Sequence, residues 1–383
     1  MEYLGIDENV LKERNGIFTA KEICGQPVLW SAIRDKVLRE KIQISSFLNE
    51  VLPKVDTIIL TGAGTSAFIG LSISGEIQRK TGINTIPLAT THLVTHPSDY
   101  FNPESSTLLI SFARSGNSPE SVATLRLADD HCKNCYHLVI TCNYDGELAK
   151  YKVKNRRYSF ILPPEANDQS LAMTGSYSGM LLSALLINSL DKCDIASHSV
   201  DEAIACGTTI LEKYTNDLKK IMDLSFKRAI FLGSGPQYGT AMESHLKLQE
   251  LTDGRVICTY DSYLGFRHGP KAVVDEETLM VYYFSNHPEV LSYEKDLVKG
   301  MAQGKKPLFQ IGISERELDD LTLDAHFKLP KTGTTENEAF LTVSNIIIGQ
   351  LLAFFKSMQL GLSPDSPSSS KAISRVVEGV TIY

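Results

Sequence analysis

Short apolar runs alternate with longer segments of helical periodicity from about residue 45 to about residue 360. Such runs are typical of strands buried in a parallel sheet, and the segments between them are long enough for crossover helices. The predicted strands of the first half are Thr57–Leu60, Ile83–Leu88, Leu108–Phe112, Tyr136–Thr141 and Tyr158–Leu162. This alternation predicts an α/β fold in which helices cover parallel sheets.

The strand pattern of the first half returns in the second half at an offset of 171 residues (233 minus 62). The offset brings three pairs of segments into register: Ile230–Gly235 on Ile59–Gly64, Thr278–Val281 on Thr107–Ile110, and Phe309–Ile311 on Leu138–Ile140. Three strands that hold one register over this distance predict an internal duplication. We therefore predict two tandem copies of one α/β unit.

The duplication divides the chain into four predicted segments. They are a helical arm at 1–44, a first copy at 45–200, a second copy at 201–361, and a C-terminal tail at 362–383 that completes the site. In the arm, apolar residues recur at helical spacing: Trp30, Ile33, Val37 and Leu38. We expect these residues to pack on the body of the protein or on a partner subunit.

The stretch Thr107–Thr124 carries the strongest functional pattern of the first copy. A buried strand is followed by a polar, turn-forming segment, and Pro119 then suits the first turn of a helix with Ser118 as its N-cap. The N–H groups and the dipole of a helix start favour an anion such as phosphate. The predicted contacts are Arg114, Ser115, Gly116 and Ser118. The alternative is an ordinary turn with a capping serine.

The second copy lacks this hydroxyl pattern. The offset places Asn286, His287 and Glu289 at the positions of Ser115, Gly116 and Ser118. A glutamate cannot replace a hydroxyl in an anion site, because its own negative charge repels the anion. We therefore predict one composite site, in which the first copy holds phosphate and the second copy supplies the chemistry.

Gly62–Ala67 fits the glycine pattern GxGxxA of dinucleotide sites. That fingerprint requires an acidic residue at the end of the next strand, and Ile86–Thr91 contains none. A nicotinamide cofactor is therefore disfavoured, and we predict no cofactor. Thr65 and Ser66 are instead predicted to add hydroxyl groups for a sugar phosphate.

Three charged residues of the second copy, Glu243, Lys247 and Glu250, fall on one face of a predicted helix. The alternative is an exposed salt-bridge stripe, but leucines at 246, 248 and 251 indicate that this face borders the core. A carboxylate beside a lysine in a half-buried cleft suits proton transfer. His268, just before Gly269-Pro270, is a second candidate because imidazole titrates near neutral pH, although a lone histidine is usually structural.

The composition argues against several classes of protein. A net charge of −7 argues against nucleic-acid binding. The N-terminus shows no signal-peptide pattern and no apolar run reaches the length of a membrane span, so we expect a cytoplasmic protein. Seven cysteines are scattered, with one CxxC pair at Cys132 and Cys135, and the nine histidines lack metal-binding spacing. We predict reduced thiols and no metal.

Beyond residue 45, the chain resembles a tandem pair of sugar isomerase (SIS) domains. The loop Ser115–Ser118 is similar to the family's phosphate loop, and residues 241–250 and 267–270 are similar to the isomerase half of glucosamine-6-phosphate synthase. Three segments look most like the tagatose-6-phosphate ketose/aldose isomerase branch of the family: FARSGNSPES, MTGSYSGM and RVVEGVTIY. The resemblance implies two flavodoxin-like parallel sheets and a galactosamine-6-phosphate deaminase/isomerase, active as a homodimer or higher homo-oligomer without a cofactor.

The resemblance also implies a role for each matched residue. Glu250 would be the base that moves a proton between C2 and C1. His268 would open the sugar ring, from its own or the neighbouring subunit, and Glu243 and Lys247 would support the enolate-like intermediate. The residues implied at the phosphate and the sugar are Thr65, Ser66, Ser115 and Ser118 for phosphate, and Thr174 or Ser176 for the sugar.

Two positions depart from the synthase. Its first loop serine falls on Ala113, followed by Arg114, so the phosphate contacts are redistributed. Its C-terminal lysine falls nearest Arg375 or Lys371, and Arg375 would act electrostatically because arginine stays charged. No glutaminase domain precedes the pair, which implies ammonia release rather than glutamine-driven synthesis.

Two other functions stay open at this point. One is an aldose–ketose isomerase without loss of ammonia, which shares the same proton shuttle. The other is a non-catalytic sugar-phosphate sensor, which is disfavoured because Glu250 and His268 are present and residues 1–44 show no helix-turn-helix.

Overall fold

The computed structural model describes residues 1–332, 338–376 and 379–383. The strands in chain order are β1 Glu2–Tyr3, β2 Ile6–Asp7, β3 Thr57–Gly62, β4 Asn84–Ala89, β5 Ser106–Ala113, β6 Asn134–Thr141, β7 Arg157–Ile161, β8 Arg228–Gly233, β9 Ile257–Asp261, β10 Thr278–Tyr283, β11 Phe309–Ser314 and β12 Ala325–Lys328. The α-helices are α1 Glu8–Glu13, α2 Ile17–Arg39, α3 Lys41–Val51, α4 Thr65–Thr81, α5 Thr90–Thr95, α6 Pro97–Tyr100, α7 Pro119–His131, α8 Glu147–Lys150, α9 Gly175–Asn188, α10 Cys193–Thr209, α11 Thr215–Met222, α12 Pro236–Leu251, α13 Tyr263–Phe266, α14 Pro288–Met301 and α15 Glu338–Gln359.

The chain forms two compact units, and each contains one five-stranded sheet. The first-sheet unit consists of residues 28–168, 175–200 and 373–383. The second-sheet unit consists of residues 1–27, 169–174 and 201–372. Both units are assembled from separate stretches of chain, and the predicted limits of the four segments stay predictions.

Both sheets have the same topology. The strand order is β4-β3-β5-β6-β7 in the first sheet and β9-β8-β10-β11-β12 in the second, and the paired strands are parallel. Numbered along the chain, each order is 2-1-3-4-5, the flavodoxin-like arrangement. The central strands β5 and β10 are buried along their whole length, because helices cover both faces of a parallel sheet. The predicted fold class is confirmed.

The duplication is visible in the strand register. Thr57 lies opposite Thr107 in the first sheet, and Arg228 lies opposite Thr278 in the second, so both strands of this pair repeat at 171 residues. Even the turn after the first strand of each copy is the same. Gly64 has φ 54° and ψ −128°, and its counterpart Gly235 has φ 52° and ψ −125°.

The offset of 171 residues does not hold for the neighbouring strands β6 and β11. Tyr136 lies opposite Leu108, whereas Phe309 lies opposite Leu279, so β6 and β11 are related by 173 residues (309 minus 136). The alignment of Phe309 with Leu138 is therefore wrong by two residues. A shift of two leaves each side chain on its original face of the sheet, which is why the apolar pattern did not reveal it.

The N-terminal arm is largely helical, as predicted, but it begins with the small hairpin of β1 and β2. Trp30, Ile33 and Val37 of α2 are buried, and the Trp30 indole Nε1 donates a hydrogen bond to the Ser178 hydroxyl at 3.0 Å. Leu38 is 41% exposed, so its assignment to the apolar face is wrong. The helix ends one residue later, at Arg39.

Helices α12 and α15 of the second-sheet unit pack at very short distance. A Cβ atom placed on Gly349 would lie 2.3 Å from the Ser244 hydroxyl oxygen and 3.0 Å from the Ser244 Cα. Glycine therefore lets α15 approach the helix that carries Glu243, Lys247 and Glu250. Among the described residues, α15 is the one helix long and apolar enough to cross a membrane, and 94% of its apolar stretch is buried inside the protein.

We predict that Gly349→Ala lowers the free energy of unfolding by about 1–3 kcal/mol, because a methyl group cannot be placed without separating the two helices. Urea unfolding of the purified protein measures this. The matched control is Gly25→Ala, at an exposed position of α2 where a Cβ would meet nothing within 4 Å. This control is expected to be neutral or stabilising. Equal losses in the two variants would contradict the packing argument.

Candidate functional site

At the carboxyl edge of the first sheet, a ligand crevice is expected between neighbouring strands β3 and β5. The strand order reverses there, and ligands of open α/β sheets bind at such a switch point. The loop after β3 leads to Thr65 and Ser66 at the start of α4, and the loop after β5 contains Ser115 and Ser118. The topology therefore brings both predicted groups of hydroxyls to adjacent strand ends.

The loop after β5 is held in one conformation by its neighbours. Gly116 has φ 68°, a conformation that favours glycine, and its carbonyl accepts a hydrogen bond from the Leu148 N–H at 2.9 Å. The Asn143 amide donates to the Ser115 carbonyl at 2.8 Å. Asn143 was not singled out in the sequence, although its place after β6 in the turn-forming stretch Asn143–Gly146 was a usable signal.

Ser118 occupies the N-cap position of α7, as predicted, but its side chain makes no capping hydrogen bond. Its hydroxyl instead donates to the Ser121 hydroxyl at 2.6 Å. The Ser115 hydroxyl accepts from the Asn117 N–H at 3.3 Å. The hydroxyl of Ser118 therefore does not satisfy the amides at this helix start, which would suit an incoming anion.

Thr65 and Ser66 begin α4 and are 5% and 4% exposed. Two glycines make this start possible. Gly64 has a positive φ, and a Cβ on Gly62 would lie 2.6 Å from the Ser66 Cβ. The two hydroxyl residues thus lie where the helix dipole favours negative charge.

The two predicted arginines lie together in the first-sheet unit. Arg114 is 6% exposed, and its Nη2 donates to the Arg375 carbonyl at 2.6 Å. The Arg375 guanidinium in turn donates from Nε to the Asp168 carbonyl at 2.9 Å and from Nη2 to the Asn167 Oδ1 at 2.9 Å. Val377 and Glu378 of the terminal motif lie outside the described residues.

Ser176 is fully buried at the start of α9, and its hydroxyl donates to the Asp168 carboxylate. The same carboxylate accepts the N–H groups of Gly175 and Ser176, each at 3.0 Å. Asp168 is thus the cap of this helix, and sequence reasoning missed it because the cap lies seven residues before the helix. Thr174, also fully buried, belongs to the second-sheet unit, where its carbonyl accepts from Gln350 at 3.4 Å.

Helix α12 brings together the three charged residues predicted for catalysis. The Lys247 ammonium lies 2.6 Å from Glu250 Oε2 and 3.4 Å from Glu243 Oε1. Glu243 and Lys247 are buried, whereas the Glu250 side chain is 24% exposed. The stripe is therefore not a solvated surface feature. Since the charges compensate one another inside the protein, Glu250 is the carboxylate of the set that reaches solvent.

His268 lies in an exposed turn after α13. The turn is fixed locally, because the Ser262 hydroxyl accepts from the Gly265 N–H at 3.0 Å and the His268 N–H donates to the Gly265 carbonyl at 2.9 Å. Gly269 follows with φ 128°, and Pro270–Val273 form a single 3₁₀ turn. The imidazole is thus presented on the surface of its unit.

A match to a family model described as SIS domain covers residues 52–188. The chain is 38% identical over 379 residues to D-galactosamine-6-phosphate deaminase AgaS of Shewanella sp. (strain ANA-3), covering 97% of this chain and 93% of that protein. The chain belongs to the AgaS family of SIS-domain proteins. The SIS match lies inside the predicted first copy, which holds the proposed phosphate loop.

Two solved structures share the fold over at least 96% of this AgaS-family chain. One is provisionally named tagatose-6-phosphate ketose/aldose isomerase, from Clostridium novyi NT, with a TM-score of 0.94, 39% identity, and coverage of 100% of this chain and 99% of that one. The other is tagatose-6-phosphate ketose/aldose isomerase from Escherichia coli, with a TM-score of 0.86, 36% identity, and coverage of 96% and 97%.

The AgaS-family chain has a different loop at the equivalent switch point of its second sheet. Pro288 begins α14 as Pro119 begins α7, so His287 is the structural counterpart of Ser118. The earlier match of Ser118 to Glu289 is wrong, because the loop after β10 is shorter than the loop after β5. An imidazole replaces the N-cap hydroxyl in this copy.

Two acidic side chains, from α14 and α15, accept hydrogen bonds from amides of this second loop. Glu294 is fully buried and accepts the Ser285 N–H at 2.8 Å, and Glu338 accepts the Asn286 N–H at 2.9 Å. Burial raises the pKa of Glu294 to about 8, because the charged form loses its hydration. A side chain of the protein thus takes a loop amide that an external anion would need.

One group of potential metal ligands occurs within the described residues: Asp129, Cys135 and His137. The Asp129 carboxylate already accepts from His137 Nε2 at 2.9 Å and from the Lys154 N–H at 3.1 Å. These bonds give the carboxylate a structural role, and no step below uses a metal.

We predict that Glu294 makes stability fall with rising pH. Between about pH 4.5 and pH 8 the unfolded state loses this proton and the folded state keeps it, so the free energy of unfolding decreases by about 3–5 kcal/mol. Urea unfolding of Glu294→Gln at pH 5 and pH 8 should show a smaller decrease than the wild type. Glu289→Gln, at an exposed position of the same helix, is the control and should retain the full decrease.

Proposed function

We propose that this chain converts galactosamine 6-phosphate to tagatose 6-phosphate and ammonium, as a deaminating isomerase of amino-sugar catabolism. The observation that carries the proposal is the 38% identity to a D-galactosamine-6-phosphate deaminase over nearly the whole of both chains. The acid–base chemistry that such a reaction needs is proposed for Glu250, which reaches solvent, together with the buried Glu243 and Lys247.

The phosphate group is assigned to the crevice between β3 and β5. Two helix starts, at Thr65 and at Pro119, direct their dipoles toward adjacent strand ends, and hydroxyl groups lie at both. Ser115, Gly116 and Ser118 provide the loop after β5. Arg114 and Arg375 add positive charge, with Lys371 as the alternative to Arg375.

The reaction begins with opening of the pyranose ring by His268, in its own or the neighbouring subunit. Glu250 then removes the C2 proton, which is acidified by the C1 aldehyde, and an enolamine forms. The Lys247 ammonium stabilises the negative charge that develops on O1, and Glu243 keeps the lysine in place. Return of the proton to C1 gives a C2 imine, and water hydrolyses this imine to the ketose and ammonium.

The remaining properties are proposed from the same relationship. The protein works in the cytoplasm as a homodimer or higher homo-oligomer, and it needs no cofactor, because a positioned carboxylate suffices for proton abstraction beside a carbonyl. The hydrolytic release of ammonium makes the overall reaction a hydrolysis as well as an isomerisation.

A second candidate is isomerisation without loss of ammonia, which the name of the E. coli structure favours. The deciding experiment is an ammonia-release assay with galactosamine 6-phosphate and glucosamine 6-phosphate side by side. Ammonium from the galacto sugar alone would support the proposed deaminase and its choice of epimer. Binding without ammonium from either sugar would favour the plain isomerase or a sugar-phosphate sensor.

We predict that Glu250→Gln lowers kcat by about 10²–10⁴-fold with little change in sugar-phosphate binding, because the amide keeps the shape but cannot accept the C2 proton. Steady-state kinetics and calorimetric binding of tagatose 6-phosphate measure the two effects separately. Glu276→Gln, at an exposed position of the same unit, is the control. Parallel loss of binding and turnover would remove Glu250 as the base.

We predict that Ser115→Ala combined with Ser118→Ala raises KM about tenfold, since two hydroxyl groups are lost from the phosphate loop. Ser46→Ala, on the exposed side of α3, should leave KM unchanged. An unchanged KM in the double variant would rule out these hydroxyls as phosphate contacts.

A further inference from the structure

The C-terminal segment of the first-sheet unit, residues 373–383, is bonded through Arg375 to distant residues of the same unit. Its guanidinium donates to the Asp168 carbonyl at 2.9 Å and to the Asn167 Oδ1 at 2.9 Å, while its own carbonyl accepts from Arg114 at 2.6 Å. The residue is thus bonded on both its side chain and its main chain. These contacts span more than 200 positions of sequence, so no local turn accounts for them.

The acceptor side of this attachment is rigid. The Asp168 carboxylate binds two N–H groups and one hydroxyl at the start of α9, so the backbone at this position is tied to a helix end. The Asp168 carbonyl and the side-chain oxygen of the neighbouring Asn167 accept hydrogen bonds from Arg375 Nε and Nη2. Two acceptors matched to two donors of a planar guanidinium specify orientation as well as position.

We propose that Asn167 is a positioning residue for Arg375, and that Asn167 and Asp168 form the docking point of the C-terminal segment. Asn167 touches neither reacting atoms nor phosphate in this proposal. It acts by holding Arg375 beside Arg114, which follows strand β5 and its phosphate loop. The effect on the substrate rests on the proposed function, whereas the docking itself does not.

The exposed side chain of Asn167 makes the proposal testable without damage to the core. Asn167→Ala removes one acceptor, and Asn167→Asp keeps the geometry while adding a negative charge opposite the guanidinium. Asn102→Ala is the matched control. It is an exposed asparagine of the same unit whose side-chain oxygen accepts a local bond, from the Glu104 N–H at 2.9 Å.

The first readout is limited trypsin digestion of the full-length protein without substrate. Trypsin must take an arginine side chain into its own pocket, so a docked Arg375 is cut only when the segment opens. Release of the peptide Val376–Tyr383, measured by mass spectrometry relative to cleavage after exposed Lys152, should rise about fivefold in Asn167→Ala. It should be at or below the wild-type rate in Asn167→Asp and unchanged in Asn102→Ala.

The second readout is steady-state ammonia release from galactosamine 6-phosphate. Asn167→Ala should raise KM about fivefold with kcat changed less than twofold, and Asn167→Asp should restore the wild-type KM. A peptide-release rate that is the same in Asn167→Ala and the wild type would overturn the docking point. Absence of ammonium from the wild type would instead overturn the proposed function, and the digestion would still decide the docking.

Discussion

A lysine ammonium buried between two carboxylates is the interaction on which the proposed chemistry depends. Removing one member of such a set leaves an uncompensated charge inside the protein, which typically costs 3–5 kcal/mol. The set is stable because Glu243, Lys247 and Glu250 are spaced to meet on one face of α12. The same helix meets α15 at Ser244, where Gly349 lets the two helices approach closely. The charged set and this close helix contact therefore lie on one helix.

The two copies of the α/β unit have different side chains near the switch points of their sheets. Both sheets have a switch point beside helix starts. The first copy has hydroxyl groups and arginines near its switch point, whereas in the second copy Glu294 and Glu338 accept hydrogen bonds from loop amides. Loop amides that already donate to these two side chains are not available to a phosphate. The two copies therefore differ in the groups that lie beside corresponding helix starts.

The fold could be predicted because its signals are local. Each signal can be read from a short stretch of sequence: apolar runs, the glycines at 62, 64, 233 and 235, and prolines at helix starts. The predicted strand bounds agree with the observed ones within a few residues. The third strand pair was misaligned, since a two-residue insertion leaves the alternation of faces unchanged. The burial of Leu38 was wrongly predicted, because helical periodicity alone does not show which positions the rest of the protein covers.

The candidate site was predictable only in its charged and hydroxyl residues. Glu243, Lys247 and Glu250 stood out because their spacing puts them on one helix face. Asn143, Asn167 and Asp168 did not, because each acts through a partner distant in sequence or through a main-chain atom that any residue carries. The hydroxyl of Ser118 could have pointed to an amide or to Ser121, and only the packed structure decides between them.

The make-up of the second-sheet unit has a consequence for synthesis on the ribosome. Its residues 1–27 leave the ribosome well before residues 201–372, with which they form one compact unit. The Asp365 carboxylate, for example, accepts the Thr19 N–H at 2.7 Å across 346 positions. Closing so large a loop is entropically costly and must come late. The part of α2 up to Pro27 therefore stays without its final partners until residues 201–372 have been synthesised.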